Sequence, residues 1–203
     1  MKSQKIKNLI LGFTLATASM GGSTLAAAPF METAGATTPP IGHVRYCQVN
    51  SQDCNVKSQS TEEVTLTIKL WRELNDTNFT ANALIQPVTD MDQYKEPERW
   101  TLPTLMGDCE DYVLLKRHML HRAGWPLNTL LITVVRDENG DGHAVLTVRT
   151  DRGDLILDNQ VPHIVTWDQT PYQYIKRQSE SHSARWTAIY DSRKPRRMTV
   201  AHR

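Results

Sequence analysis

MGDCEDYVLLKRHML, residues 106–120, joins one cysteine among acidic residues to a run of apolar residues with helical spacing. This spacing predicts a helix that begins at Cys109. Gly124 and Pro126 follow, and a glycine just past the last helical residue with a proline soon after it typically ends a helix. Acids in the first turn and bases in the last complement the helix dipole. The stretch therefore predicts a helix with a thiol at its N-terminus.

Alternating apolar residues on the C-terminal side of this helix predict a sheet. Three strands are predicted, separated by the turn sequences DENGDG and RTDRG: residues 129–135, 143–148 and 154–158. Upstream, residues 61–74 predict a helix that starts at Thr61, and the β-branched alternation in its early part also fits a strand. The predicted fold class is α+β, with the Cys109 helix followed by at least three antiparallel strands.

Cys109, His143 and Asp158 occur in the order and setting that a cysteine hydrolase needs. His143 opens one predicted strand, and Asp158 closes the next. Such enzymes need a thiolate, an imidazole that accepts and returns a proton, and a third group that orients the ring. A helix N-terminus lowers the pKa of a thiol, and its backbone N–H groups can bind a developing oxyanion. The three residues are therefore a candidate catalytic triad.

The triad makes a demand on the hairpin between the last two predicted strands. His143 lies opposite Asp158 if Val148 pairs with Gly153, which leaves a four-residue loop at 149–152. A two-residue loop would slide Asp158 along its strand and, at ordinary strand spacing, out of reach of His143. We therefore predict the longer loop.

The composition is that of an ordinary globular protein. The chain has 203 residues, of which 39% are hydrophobic and 22% are charged, and its formal net charge is +1. This charge gives no reason to expect a nucleic-acid partner. The length is sufficient for one domain with a sizeable core.

The first 28 residues have the pattern of a secretory signal peptide. A basic start precedes the short apolar run of residues 9–18, and STLAAAPF then supplies small residues in an A-x-A pattern. We expect cleavage near residues 26–28 and no membrane insertion of the mature chain, and the alternative is an uncleaved anchor. We expect residues 29–45 to be a flexible mature N-terminus, residues 46–192 to form the folded domain, and residues 193–203 to be a basic tail.

Export changes the interpretation of the three cysteines. Cys47 and Cys54 are separated by polar turn residues, which suit a short disulfide loop in an oxidising compartment. Cys109 then remains as a free thiol. An odd thiol in an exported protein is a candidate reactive group.

Four segments of the chain resemble the bacterial transglutaminase-like cysteine proteinases: GDCEDYVLLKRHML, GW, ITVVRDENGDGHAVLTVRT and LILDNQ. The resemblance extends from about Cys47 to Trp186. It implies a papain- and transglutaminase-like fold, in which the Cys109 helix packs against an antiparallel sheet. It also implies that Cys109 is the nucleophile, His143 the general base and acid, and Asp158 the carboxylate that orients His143.

The function implied by this resemblance is that of a periplasmic thiol protease. Such a protease would hydrolyse a peptide bond in a surface or secreted protein, such as a biofilm adhesin, through a thioester on its cysteine. An inner-membrane receptor regulates some relatives, which makes such a receptor a candidate partner. Two alternatives remain open: acyl transfer of the transglutaminase or amidase type, and a protein-binding module without activity.

The acids around Cys109 have two interpretations. Carboxylates beside a thiol raise its pKa and so oppose thiolate formation. The resemblance implies calcium dependence, with Asp108, Glu110 and Asp111 at the positions of the metal ligands, and carboxylate oxygens suit Ca²⁺. In the second interpretation these acids only stabilise the positive end of the helix dipole.

Overall fold

The computed structural model describes residues 30–60 and 62–193. The predicted signal peptide lies outside this part of the chain, as do Thr61 and residues 194–203 of the predicted tail. The helices are α1 (Ile41–Val49), α2 (Ser51–Cys54), α3 (Ile68–Leu84), α4 (Asp90–Tyr94) and α5 (Cys109–Arg122). The strands are β1 (Glu32–Thr37), β2 (Gln86–Pro87), β3 (Met106–Gly107), β4 (Leu130–Arg136), β5 (Gly142–Thr150), β6 (Gly153–Leu157), β7 (Val165–Thr166), β8 (Gln173–Ser179) and β9 (His182–Tyr190).

Seven of the strands form one sheet in the order β1-β9-β8-β4-β5-β6-β7. Every neighbouring pair in it is antiparallel. The two short strands β2 and β3 pair in parallel outside this sheet, and they bring the segment before α5 next to the end of α3. The prediction of an α+β fold with a helix packed against an antiparallel sheet is confirmed.

The two faces of the sheet are buried against different groups. Successive residues of a strand point to opposite faces. Ala144 and Leu146 of β5 lie in the main core with residues of α5 and α3, such as Leu120 and Leu74. Val145 lies in a second, smaller core that includes aromatic residues of the β7–β8 region. The sheet is therefore covered by helices on one face and by a smaller layer that includes Trp167 and Tyr172 on the other.

Helix α5 begins at Cys109 as the sequence predicts. At its other end Gly124 adopts a φ of +101°, a left-handed conformation that favours glycine. The Gly124 amide donates to the His121 carbonyl and the Trp125 amide to the Leu120 carbonyl, both at 3.0 Å. These bonds satisfy carbonyls that the end of a helix otherwise leaves unpaired. The predicted limits of this helix were accurate because both ends are determined locally.

The predicted register of the β5–β6 hairpin is wrong. Thr150, not Val148, pairs with Gly153, so the loop has two residues. Gly153 has a φ of +111°, which permits this tight turn. Continuing the register places Asp158 opposite Val145, two positions from His143 and on the same face of the sheet. The expectation that a two-residue loop would separate the pair is also wrong, because side chains diagonal to each other on one face can still meet.

Two expectations for the N-terminal third are corrected. The segment expected to be a flexible N-terminus contains regular structure from residue 32 on, because Glu32–Thr37 pair with β9 at the edge of the sheet and Ile41–Val49 are helical. The helix expected to start at Thr61 starts at Ile68, where the Thr67 hydroxyl accepts from the Leu70 amide at 3.2 Å. Before it, Val64 forms an isolated bridge to Thr150. Residues 62–67 therefore form neither the predicted helix nor the alternative strand.

The predicted disulfide between Cys47 and Cys54 is present, and Cys109 is the free cysteine of the described residues. The bond joins α1 to α2 against the main core. Over the described ranges, every helix is too short or too polar to cross a bilayer.

Candidate active site

Cys109 lies at the first position of α5, where the chain turns sharply out of β3. Gly107, two residues earlier, permits the close approach of the Asp111 side chain, because a Cβ atom there would lie 2.6 Å from the Asp111 carboxylate. The Ala144 amide of β5 donates a hydrogen bond to the sulfur. The thiol itself donates to Glu110 Oε2 at 3.1 Å. The cysteine is therefore held between the start of the helix and the start of β5.

His143 and Asp158 are in direct contact, as predicted. His143 Nε2 lies 2.9 Å from Asp158 Oδ1, and each residue is only 3% exposed. Since a carboxylate only accepts, Nε2 carries the ring proton in this contact, and Nδ1 keeps its lone pair. The ring therefore has the tautomer that a general base needs, with Nδ1 as the accepting atom.

Asp158 is held by more groups than His143. Its Oδ1 also accepts from the Gln160 amide at 3.0 Å, and its Oδ2 accepts from the Tyr172 hydroxyl at 2.5 Å. The Asn82 side chain of α3 donates to the Asp158 carbonyl at 2.9 Å. Burial acts to raise the pKa of Asp158, but the hydrogen bonds from His143, the Tyr172 hydroxyl and the Gln160 amide keep it below its ordinary value. The carboxylate is therefore fixed in position and ionised.

The thiol and the imidazole each face a different partner. His143 Nδ1 lies 3.4 Å from Gln160 Nε2, and the thiol is bonded to Glu110. Within the described ranges, no hydrogen bond joins the Cys109 sulfur to the His143 ring. The two residues are brought together through the backbone instead, because the amide that contacts the sulfur belongs to the residue after His143.

Three carboxylates meet beside the thiol. Oxygens of Asp90, Asp108 and Glu110 lie within 4.8 Å of one another. Asp108 Oδ2 accepts from the Asp90 amide at 3.1 Å, whereas the buried Oδ1 of Asp108 has no hydrogen-bond partner among the described residues. Asp90 and Glu110 are buried as well. A buried group of acids with an unused oxygen has the donor type that a hard divalent cation prefers.

Asp111 is not part of this group of three. It is fully buried, and its carboxylate accepts from the Thr101 amide at 2.8 Å and lies 3.5 Å from the Thr101 hydroxyl. These contacts tie the loop before β3 to the first turn of α5. The group of acids in the structure therefore shares Asp108 and Glu110 with the predicted ligand set and replaces Asp111 by Asp90.

Burial and the neighbouring acids raise the pKa values of Glu110, Asp111 and Cys109. Burial, with repulsion from Asp108, raises the pKa of Glu110 to about 9. Burial also raises the pKa of Asp111 to about 7, with help from Asp108 and Asp90. The pKa of the Cys109 thiol is raised well above its ordinary value by burial first and by Glu110 next, and the Ala144 amide only partly opposes this. Without added positive charge, this environment opposes a thiolate.

Three residues that contribute to the site were not found from the sequence: Asp90, Gln160 and Tyr172. Asp90 stands near the N-terminus of the short helix α4, and a Thr-Asp pair there reads only as a helix cap. Gln160 follows the LDN segment closely, so its proximity to Asp158 was the one available signal. Tyr172 reaches the site only because β8 lies beside β4 in the sheet, which no local pattern predicts.

Comparison with known proteins gives a family and a fold. The model of a peptidase family, the bacterial transglutaminase-like cysteine proteinases, matches residues 33–194. Calcium-bound LapG of Legionella pneumophila has a TM-score of 0.50 and 18% identity, covering 78% of this chain and 93% of that one. A second structure of Legionella pneumophila LapG has a TM-score of 0.50 and 20% identity, and the match covers 76% of this chain and 91% of that one. No curated protein matches the sequence. At these identities the structural likeness concerns the fold.

Proposed function

Because the chain belongs to the bacterial transglutaminase-like cysteine proteinases, we propose that it is an exported endopeptidase whose catalytic residues are Cys109, His143 and Asp158. The observation that carries this proposal is the buried 2.9 Å contact between His143 Nε2 and Asp158 Oδ1, beside the helix that begins with the free cysteine. This contact leaves His143 Nδ1 free of a proton and able to act as the base for the Cys109 thiol.

The reaction proposed for these groups is thioester-mediated hydrolysis. His143 Nδ1 accepts the thiol proton while the Cys109 sulfur attacks the carbonyl carbon of the substrate peptide bond. The C–N bond breaks, and the amine leaves with the proton held by His143. Backbone N–H groups at the start of α5 stabilise the oxyanion, and water then hydrolyses the thioester. The sulfur must leave Glu110 and the ring must leave Gln160 on the way, and such contacts commonly tighten into productive ones only when substrate binds.

We propose that Asp90, Asp108 and Glu110 hold a calcium ion. Three observations on this chain support the fit: their oxygens are close together, Asp108 Oδ1 is buried without a partner, and the pKa of Glu110 is raised to about 9. The calcium-bound LapG of similar fold adds support. A bound Ca²⁺ would supply positive charge to this group of acids. The Asp111 of the predicted set stays a weaker candidate, since its carboxylate is not one of the three whose oxygens lie within 4.8 Å of one another.

Export and a protein substrate complete the proposal. The disulfide between Cys47 and Cys54 suits an oxidising compartment such as the periplasm, in agreement with the predicted signal peptide. We propose that the substrate is a surface or secreted protein of the adhesin type, and that an inner-membrane receptor is a regulatory partner. Family membership and the expected location of the protein support both statements.

The experiment for the peptidase activity is incubation of the mature protein with co-exported surface proteins, followed by mapping of new termini. Cys109→Ala should abolish cleavage and leave the thermal unfolding midpoint unchanged. Replacement of the exposed His118, on the same helix, provides the matched control and should cleave normally. Cleavage by Cys109→Ala would remove the proposed nucleophile. Incorporation of a labelled amine without new termini would favour acyl transfer instead.

The experiment for calcium uses isothermal titration of the chelator-treated protein. We expect Asp90→Asn to weaken calcium binding at least tenfold, because one carboxylate of the group is neutralised. Asp92→Asn is the matched control: Asp92 is exposed on the same helix and bonds the Thr89 hydroxyl. Absence of heat with the unmodified protein would remove the metal. Loss of binding in Asp111→Asn but not in Asp90→Asn would favour the ligand set predicted from the sequence.

A further inference from the structure

We propose that Tyr172 is a positioning residue of this active site, which fixes the rotation of the Asp158 carboxylate and through it the tautomer of His143. The inference rests on the proposed function, because it concerns the same three catalytic residues. The proposed role of Tyr172 requires no contact with the substrate or with the Cys109 sulfur. The hydroxyl acts through Asp158, and the ring packs against the ring of His143.

Tyr172 is held in place through its hydroxyl, its ring and its backbone carbonyl. Its hydroxyl donates to Asp158 Oδ2 at 2.5 Å, and its ring meets the His143 ring edge to face, with centroids 5.5 Å apart and planes at 66°. The residue is 3% exposed. Its backbone carbonyl accepts from the Arg193 guanidinium at 3.0 Å, and Arg193 is paired with Asp191 at 2.8 Å. The hydroxyl is therefore presented by a backbone that is itself anchored.

The two oxygens of Asp158 have different partners, and this explains how Tyr172 can fix the rotation of the carboxylate. Oδ1 serves His143 and the Gln160 amide, whereas Oδ2 has the Tyr172 hydroxyl. Rotation of an aspartate carboxylate about its last bond is soft and nearly two-fold. Without the hydroxyl, Oδ2 would be buried and unpaired, and rotation would be resisted from one side only. The carboxylate could then turn so that its contact with His143 Nε2 lengthens or bends, which weakens its hold on the Nε2–H tautomer.

A wrong tautomer would disable the base without disturbing the fold. If the proton moves from Nε2 to Nδ1, the nitrogen that should accept the thiol proton carries a hydrogen instead. The carboxylate of a triad acts chiefly by holding the imidazole in the correct tautomer and orientation. The Tyr172 hydroxyl extends this control by one further hydrogen bond.

The test compares Tyr172→Phe with Tyr174→Phe in the full mature protein. Tyr174 is a matched control, since it is also buried in the smaller core but its hydroxyl bonds Thr170 at 3.0 Å and not the catalytic carboxylate. We expect Tyr172→Phe to lower kcat by about ten- to hundredfold, the usual cost of one hydrogen bond to a charged group, with KM unchanged. Tyr174→Phe should keep the kcat of the unmodified protein.

A spectroscopic readout separates positioning from general stability. Nitrogen-15 shifts of the His143 ring should report a single Nε2–H tautomer in the unmodified protein and in Tyr174→Phe, and a mixture in Tyr172→Phe. A single tautomer and full kcat in Tyr172→Phe would overturn the inference. If Cys109→Ala remains active, the proposed function fails, yet the tautomer measurement still tests the role of Tyr172.

A measurement on the unmodified protein covers the case in which Tyr172→Phe does not fold. The proton between Tyr172 and Asp158 should give a far-downfield resonance that exchanges slowly and shows no coupling to nitrogen-15. The His143 Nε2 proton, in contrast, should show that coupling. Absence of the uncoupled resonance would also overturn the inference.

Discussion

Lys116 is a buried lysine whose cost to the stability of the fold can be measured with a single substitution. The side chain lies on α5, is 0% exposed, and its Nζ has no hydrogen-bond partner among the described residues. The Tyr112 ring lies over the ammonium, with its centroid 5.9 Å from Nζ. Burial lowers the pKa of Lys116 to about 7, against the attraction of Asp158. We expect Lys116→Met, which keeps the length of the chain and removes the charge, to stabilise the protein near neutral pH.

The sign and size of the effect follow from proton binding. The unfolded chain keeps the lysine protonated up to its ordinary pKa of 10.5, whereas the folded protein releases the proton near pH 7. Between these values unfolding takes up a proton, so the free energy of unfolding that Lys116 contributes rises with pH. Each pH unit is worth 1.36 kcal/mol, so the contribution changes by about 4 kcal/mol between pH 7 and pH 10. The advantage of Lys116→Met should therefore be largest at neutral or lower pH and shrink by about this amount toward pH 10.

Urea unfolding at pH 7 and pH 10 provides the assay. The difference between Lys116→Met and the unmodified protein at each pH cancels the titration of all other groups, including Glu110. Lys69→Met is the matched control, since Lys69 is exposed on α3, and its effect should be small at both values. An advantage of Lys116→Met that does not change between the two pH values would refute the reasoning, because it would mean that the buried ammonium is solvated or paired.

Two further predictions concern the thiol and the disulfide. Gln160→Ala removes the side-chain amide that lies 3.4 Å from His143 Nδ1. We expect alkylation of Cys109 by iodoacetamide to become several-fold faster, because Nδ1 is then free to accept the thiol proton. An unchanged rate would show that the Gln160 amide does not block Nδ1. Joint replacement of Cys47 and Cys54 by Ala should lower the free energy of unfolding by about 2.5 kcal/mol, from the entropy of a short closed loop, as measured by urea unfolding, and an unchanged midpoint would contradict this.

The parts of the site that were predicted correctly are those with local signals. The start of α5 at Cys109 was predictable because acids, helical spacing and the Gly124 stop all lie within one short segment. The disulfide was predictable because Cys47 and Cys54 are close in sequence and separated by polar residues. The contact between His143 and Asp158 was predicted, but for a register that the structure does not have.

The parts that were missed depend on how distant segments meet. RTDRG can close a hairpin with either loop length, and the left-handed φ of Gly153 selects the shorter one. Asp90 joins Asp108 only after β2 and β3 pair, an interaction of two residues on each side. Tyr172 reaches Asp158 across the face of the sheet that the smaller core covers. None of these approaches leaves a periodic or spaced pattern in the sequence, because each is determined by tertiary packing.

The two outermost strands of the sheet have consequences for handling the protein in concentrated form. A long, regular outer strand offers unpaired backbone groups to other molecules and promotes aggregation. Here β7 has only two residues, and the pairing of β1 is interrupted between Thr33 and Ala36, where Gly35 has a φ of +97°. Neither border offers a continuous template for another chain, so the protein should remain monodisperse at the concentrations used for crystallisation or NMR.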